Sequence, residues 1–316
     1  MKQLFFCICL LCLSIITIAQ KPNFTVAADG TGDFKTVQEA INAVPDLRNT
    51  QTVIFIKNGT YKEKLVLANT KRKVKLIGED VKKVILTFDN HAGSLNTFGE
   101  TMGTSGSASF FIHGDDFTAE NITFENSAGP VGQAVAVRVA SDKVKFLNCR
   151  FLGFQDTLYT WGYGGSSRQY YKGCYIEGTV DFIFGSSTAV FDDCHIYGKK
   201  GGYFTAASTP DTAKYGYVFI KCKIDGDAPE ASFYLGRPWR PHAKTVFIDC
   251  EMSDIVRPEG WHNWGKTTNE KTVFYGEYHT TGKGAPIGKR VSWAQSSIQK
   301  NDFTLDKVLN GWNVNE

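Results

Sequence analysis

The sequence is poor in side chains arranged to hold a metal. Its six histidines are scattered through 316 residues. After residue 20 no two cysteines show the CxxC spacing of a zinc or iron–sulfur site. No metal or organic cofactor is expected. Charge of either sign is also nearly balanced, at +3 overall. That is too mild to argue for nucleic acid and merely compatible with an acidic substrate. After residue 20 no apolar run is long enough to cross a bilayer. Long helical stretches are absent as well, which removes leucine-rich and ankyrin-type repeats from consideration.

What is present begins with MKQLFFCICLLCLSIITIAQ. It has Lys2, an apolar run from Leu4 to Ile18, and short side chains at Thr17 and Ala19. This is the pattern of a secretory signal peptide over 1–19, cleaved after Ala19. The run is short for a membrane anchor, and large Leu11 before Cys12 argues against a lipoprotein. The expectation is a secreted or periplasmic chain with a single domain over 20–316. Three of the eight cysteines fall in the leader. Cys149, Cys174, Cys194, Cys222 and Cys250 remain, an odd set that cannot all pair.

Those five cysteines sit in look-alike segments: FLNCRF (146–151), YKGCYIEG (171–178), FDDCHIYG (191–198), FIKCKIDG (219–226) and FIDCEM (247–252). ENITFEN (120–126) fits the series with Ile122 in the cysteine place. From Ile122 to Cys250 the successive spacings are 27, 25, 20, 28 and 28 residues. Self-similarity at such a period means a solenoid. Val218, Ile220, Cys222 and Ile224 alternate with Phe219, Lys221 and Lys223, and Val246, Ile248, Cys250 and Met252 alternate with Phe247, Asp249 and Glu251. This is strand period, with the cysteine series expected to face inward. The fold class expected is all-β, a parallel β-helix with an internal ladder of cysteines. TVQEAINAVP (36–45) departs from the pattern. Thr36 and Glu39 form a capping box and Val37, Ala40, Ile41 and Val44 keep helical spacing, so a short helix should cap the N-terminal end. KTVFYGEYH (271–279) resembles KTVFIDCEM (244–252) with Glu277 in the place of Cys250. After Trp293 an irregular tail should pack along the side.

Two aspartates share one offset, since Asp156 follows Cys149 by seven residues and Asp181 follows Cys174 by seven. In a β-helix equal offsets stack at the strand spacing of about 4.8 Å, so the two carboxylates should be adjacent. Repulsion between them raises the pKa of one, giving one acid and one base. With Val180, Phe182 and Phe184 facing inward, Asp181 should face outward beside Ile183 on a poorly hydrated surface. Arg237, between Gly236 and Pro238, could keep it ionised through a bidentate pair. Gln133 and Gln155 are neutral donors suited to a developing oxyanion. Tyr159, Trp161 and Trp239 could stack on sugar rings or serve as ordinary packing.

Taken in order, GTYKE (59–63), TFENSAG (123–129), GQAVAVR (132–138), QDTLY (155–159), DFIFG (181–185), LGRPW (235–239) and FYGEY (274–278) resemble the signature segments of the pectin methylesterases, or pectinesterases, from about Phe24 to Trp293. The resemblance implies a right-handed single-stranded parallel β-helix that hydrolyses galacturonate methyl esters in pectin. It implies Asp181 as nucleophile, Asp156 as general acid then base, and Gln133 and Gln155 as oxyanion donors. Arg237 would orient the nucleophile and contact substrate, and Trp239 would stack on substrate. Thr104, in TSGSAS (104–109), falls where the family has a substrate-contacting threonine, although Ser105 and Gly106 replace bulkier residues there. Tyr159 is taken as a further substrate contact. The partner implied is methyl-esterified homogalacturonan, met by a monomer, with no nucleic acid and no membrane once the leader is removed. A glycoside hydrolase with carboxyls at the same spacing, a calcium-dependent lyase and a non-catalytic polysaccharide-binding β-helix stay open on the residues alone.

Overall fold

The computed structural model describes residues 21–162, 167–286, 288–295 and 298–316. The leader expected over 1–19 lies outside them. Each complete coil gives one strand to each of three parallel sheets, and the terminal coils contribute to fewer, so the sheets have ten, eight and seven strands. One turn of the solenoid runs from Val144–Leu147 in the ten-stranded sheet to Arg150–Leu152 in the eight-stranded sheet. It continues to Leu158–Thr160 in the seven-stranded sheet. Arg168–Lys172 then returns to pair with Val144–Leu147 one rung on. The architecture is a right-handed parallel β-helix. Thr123 pairs with Arg150, Arg150 with Tyr175, Tyr175 with His195, His195 with Lys223 and Lys223 with Glu251. These registers reproduce the cysteine spacings.

The inward face differs from the simple alternation. Phe219 and Phe247 point into the core, whereas Val218, Val246 and Ile248 face the other side of their sheet. The cause is the corner between the ten- and eight-stranded sheets. There Asn148, Gly173, Asp193, Lys221 and Asp249 all have φ between 50° and 60°. One left-handed residue inserted at the corner resets the period of two, so Phe219 and Cys222 face inward together. Inside, Phe146, Tyr171, Phe191, Phe219 and Phe247 stack in sequence with ring centroids 5.1, 4.7, 4.5 and 4.5 Å apart. The five cysteines form the neighbouring ladder, all buried and all free thiols. Burial pushes Cys149 up to about 12, which leaves its thiol inert.

Both ends are closed. Helix Val37–Ala43 has the expected reciprocal Thr36 and Glu39 capping box. Glu63 of GTYKE accepts from the free N–H groups of Val37 and Gln38 at 2.9 and 3.0 Å, which satisfies the helix start. At the other end Glu277 does not take the cysteine place. It pairs with Phe247, and the Glu251–Thr281 bridge puts Thr280 opposite Cys250. With the five-residue 3₁₀ turn Thr267–Lys271 before the strand that begins at Phe274, this coil is three residues longer than the letter match implies, so the shared KTVF letters lie out of register. Glu277 instead receives two hydrogen bonds from Arg290, at 2.7 and 2.9 Å. Arg290 also donates to the carbonyls of Arg257, Pro258 and Gly284. The tail packs along the side as expected. Ile298, Phe303, Val308, Leu309 and Val314 cover Tyr170, Val190, Val218, Val246 and Ile248 on the outside of the ten-stranded sheet. Among the described residues no helix is long and apolar enough to cross a membrane.

Candidate active site

The seven-stranded sheet carries the site on its outer face. Leu158 pairs with Ile183, which sets Asp156 and Asp181 at the same place in consecutive rungs. The Asp156 N–H donates to the Val180 carbonyl at 3.1 Å. Both aspartates have left-handed backbones, with φ of 66° and 54°, a conformation aspartate tolerates better than most side chains. The bend again resets the alternation. Phe182 and Ile183 both enter the core, and Phe184, expected inside, lies outside against Tyr159. Gly185 closes the motif with φ 129°, and a Cβ there would sit 2.0 Å from the Thr160 carbonyl oxygen. Only glycine fits so close to the neighbouring rung.

Arg237 holds Asp181 by two parallel hydrogen bonds, Nε to Oδ1 at 2.8 Å and Nη2 to Oδ2 at 2.7 Å. Its guanidinium lies between two aromatic faces, 3.8 Å from the Tyr203 centroid and 3.9 Å from that of Trp264. The turn that delivers it depends on Gly236, where a Cβ would meet Thr205 Oγ1 at 2.1 Å. Asp156 is as buried as Asp181 but among the described residues pairs with no cation. Its carboxyl is pushed well above the ordinary range, first by burial and then by the negative charge of Asp181, with Arg237 opposing. Burial also raises Asp181, but Arg237 opposes that rise through hydrogen bonds and charge. A proton taken up by the pair is therefore favoured on Asp156 and the charge on Asp181.

Gln133 and Gln155 bridge in consecutive rungs. Among the described residues neither side-chain amide is spent on a protein acceptor. These residues, with Thr104, Tyr159 and Trp239, line one open cavity of about 400 Å³ around the two aspartates. The structure thus brings together eight of the nine residues singled out in the sequence, while Trp161 lies outside the cavity lining and packs edge-on against Tyr159. Tyr159 enters mainly as wall. Its ring stacks on Phe184 at 4.2 Å and meets Trp161 and Trp239 edge-on, so its faces are largely taken. Thr104 sits on the helical turn Gly103–Gly106, tethered by Lys64 Nζ to the Gly106 carbonyl at 3.0 Å. Asn126 of TFENSAG pins the base of the same segment, with Nδ2 at 2.8 Å from the Asn90 carbonyl and 3.0 Å from that of Val135.

Trp264, Tyr203 and Met102 escaped the sequence reading, and Phe184 was read there as a core residue rather than part of the cavity wall. Tyr203 was within reach, since aligning YFTAA with DFIFG places it one rung beyond Asp181. Trp264 follows Arg237 by a long connection with no repeat to align, so nothing in the sequence marked it.

An arginine-paired carboxylate beside one raised by burial and its neighbour's charge, in an open cleft with unspent amide donors on the flank of a β-helix, has the make-up of an acid–base hydrolase. The sequence model of the pectinesterase family matches residues 23–311. Pectinesterase 31 from Arabidopsis thaliana is 42% identical over 85% of this chain and 86% of its own length. The chain spans about half the length of several other curated relatives from Arabidopsis thaliana, named pectinesterase or pectinesterase/pectinesterase inhibitor. Among solved structures, pectin methylesterase from carrot superposes with a TM-score of 0.83 at 35% identity, covering 92% of this chain and 94% of that one. A pectin methylesterase in complex with a hexasaccharide superposes with a TM-score of 0.80 at 30% identity, covering 93% and 99%. The chain belongs to the pectinesterase family.

Proposed function

We propose that this pectinesterase hydrolyses galacturonate methyl esters in pectin, leaving the polysaccharide backbone intact and releasing methanol. The observation that carries the reading is the asymmetry of the pair, with Asp181 clamped by Arg237 at 2.7 and 2.8 Å and Asp156 without a counter-ion. Ionised Asp181 attacks the ester carbonyl carbon, and the amides of Gln133 and Gln155 receive the oxyanion. As the tetrahedral intermediate collapses, Asp156 gives its proton to the departing methoxide. The anhydride on Asp181 is then opened by water. Asp156, now ionised, removes a proton from that water and returns to its starting state. The products are a substrate carboxylate and free Asp181. Trp239 and Trp264 offer aromatic surface for the sugars, and Thr104 a hydroxyl at the cavity wall. On this account the substrate is methyl-esterified homogalacturonan and the enzyme acts as a monomer outside the cytoplasm after losing 1–19.

A retaining glycosidase also needs two carboxyls about 5 Å apart. The unspent amides favour the ester, because a glycosidic transition state develops positive rather than negative charge at the reacting carbon. The test measures methanol and new reducing ends from methylated pectin. The parent should release methanol without reducing ends, and Asp181→Ala and Asp156→Ala should each lose at least ~10³-fold in rate with the fold intact. Reducing ends, or near-parent rates in either variant, would contradict the reading.

A further inference from the structure

Three of the large apolar side chains most exposed among the described residues lie on two adjoining segments, Phe98 at 86%, Leu95 at 61% and Val131 at 53%. The segments are tied at their bases. Ala92 N–H donates to the Gln133 carbonyl at 2.8 Å, and Gly103 N–H donates to the Ala92 carbonyl at 2.9 Å. The first segment is a closed hairpin with an antiparallel bridge between Leu95 and Thr101. Asn96 Oδ1 accepts from the N–H groups of Phe98 and Glu100 at 2.9 and 3.0 Å. Met102 N–H returns to the Ser94 carbonyl at 2.8 Å. A scattered exposed apolar residue needs no explanation, but here a bonded arm holds a phenyl ring almost fully in water. The arm is continuous with the catalytic cavity, because Met102, Thr104 and Ser105 at its foot line that cavity beside Gln133. Met102 lies four positions after Phe98, a reach of at most about 14 Å.

We infer that the Phe98 hairpin is a substrate-positioning arm that stacks on the apolar face of a methyl-esterified sugar where the polymer leaves the cavity on the Gln133 side. This inference rests on the polysaccharide reading of the same site. An aromatic ring suits the C–H face of a pyranose. The companions Leu95 and Val131 offer nothing to a free carboxylate, so the arm selects esterified over de-esterified neighbours. Its effect belongs to long chains, since a short oligomer held at the aspartates ends before it meets the tip.

The test compares parent, Phe98→Ala and Phe98→Trp on highly methylated polymeric pectin and on methylated trigalacturonate, measuring methanol. Phe98→Ala should raise KM for the polymer about tenfold with kcat and the trimer constants unchanged, and Phe98→Trp should restore the parent KM. Unchanged polymer KM in Phe98→Ala, or an equal loss on polymer and trimer, overturns the arm while leaving the esterase reading intact. A parent that releases no methanol from either substrate overturns both.

Discussion

Asp181 is the residue that least fits its surroundings, and its neighbours explain why it can stay charged. Water solvates it poorly between Phe182 and Phe184, and Arg237 replaces that lost hydration with two fixed hydrogen bonds. Asp156 has no such partner and bears the consequence of burial. Its folded value lies above the unfolded one, so the folded protein binds more protons. Stability is therefore lost as pH rises from the ordinary carboxylate range through the raised value. Asp156→Asn removes that loss, and asparagine accepts the φ of 66°. The variant should gain on the order of 1–3 kcal/mol at neutral pH, read as a higher Tm, while releasing no methanol. An unchanged or lower Tm would mean that Asp156 is not held neutral by burial. The parent's kcat/KM should be bell-shaped in pH. It falls on the acid side as Asp181 takes a proton, and on the alkaline side, above the ordinary carboxylate range, as Asp156 loses one. Arg237→Lys should depress the rate by moving the acid limb upward, because an ammonium cannot make the bidentate contact.

At the scale of elements, the repeat was legible because cysteine marks the same corner in five coils, and the stacking of the aspartates followed from that offset alone. Facing was less legible. Phe219, Phe247 and Phe184 were each placed on the wrong side because one left-handed residue at a corner or a catalytic bend shifts the period of two, and φ leaves little trace in composition when Lys221 adopts it as readily as Asn148. Glu277 was misplaced for a related reason, since four shared letters outweighed a 3₁₀ turn that changes coil length. The glycines of the motifs, by contrast, have direct meaning. Gly236→Ala would press a methyl onto Thr205 Oγ1, which is buried and donates to the Leu235 carbonyl at 2.9 Å. Overpacking there should cost about 1–3 kcal/mol. It should also lower kcat more than the stability change explains, because the turn that aims Arg237 must move. A variant with parent activity and parent Tm would show that the turn has slack.

For the whole molecule, the β-helix acts as a ruler. Its core is an aromatic stack flanked by a cysteine ladder, with closed ends and a covered flank, so the rung spacing at the seven-stranded sheet is fixed by the entire solenoid rather than by the site. That rigidity forces two carboxylates to remain neighbours. Left free, they would move apart and hydrate. The most direct measurement of this arrangement is the infrared carboxyl band of the resting enzyme at neutral pH, compared between parent and Asp156→Asn. The parent should show one buried protonated carboxyl that titrates above the ordinary carboxylate range, and the variant should lack it. A parent with no such band, or a band that survives in Asp156→Asn, would contradict the assignment of the proton and with it the division of labour between the two aspartates.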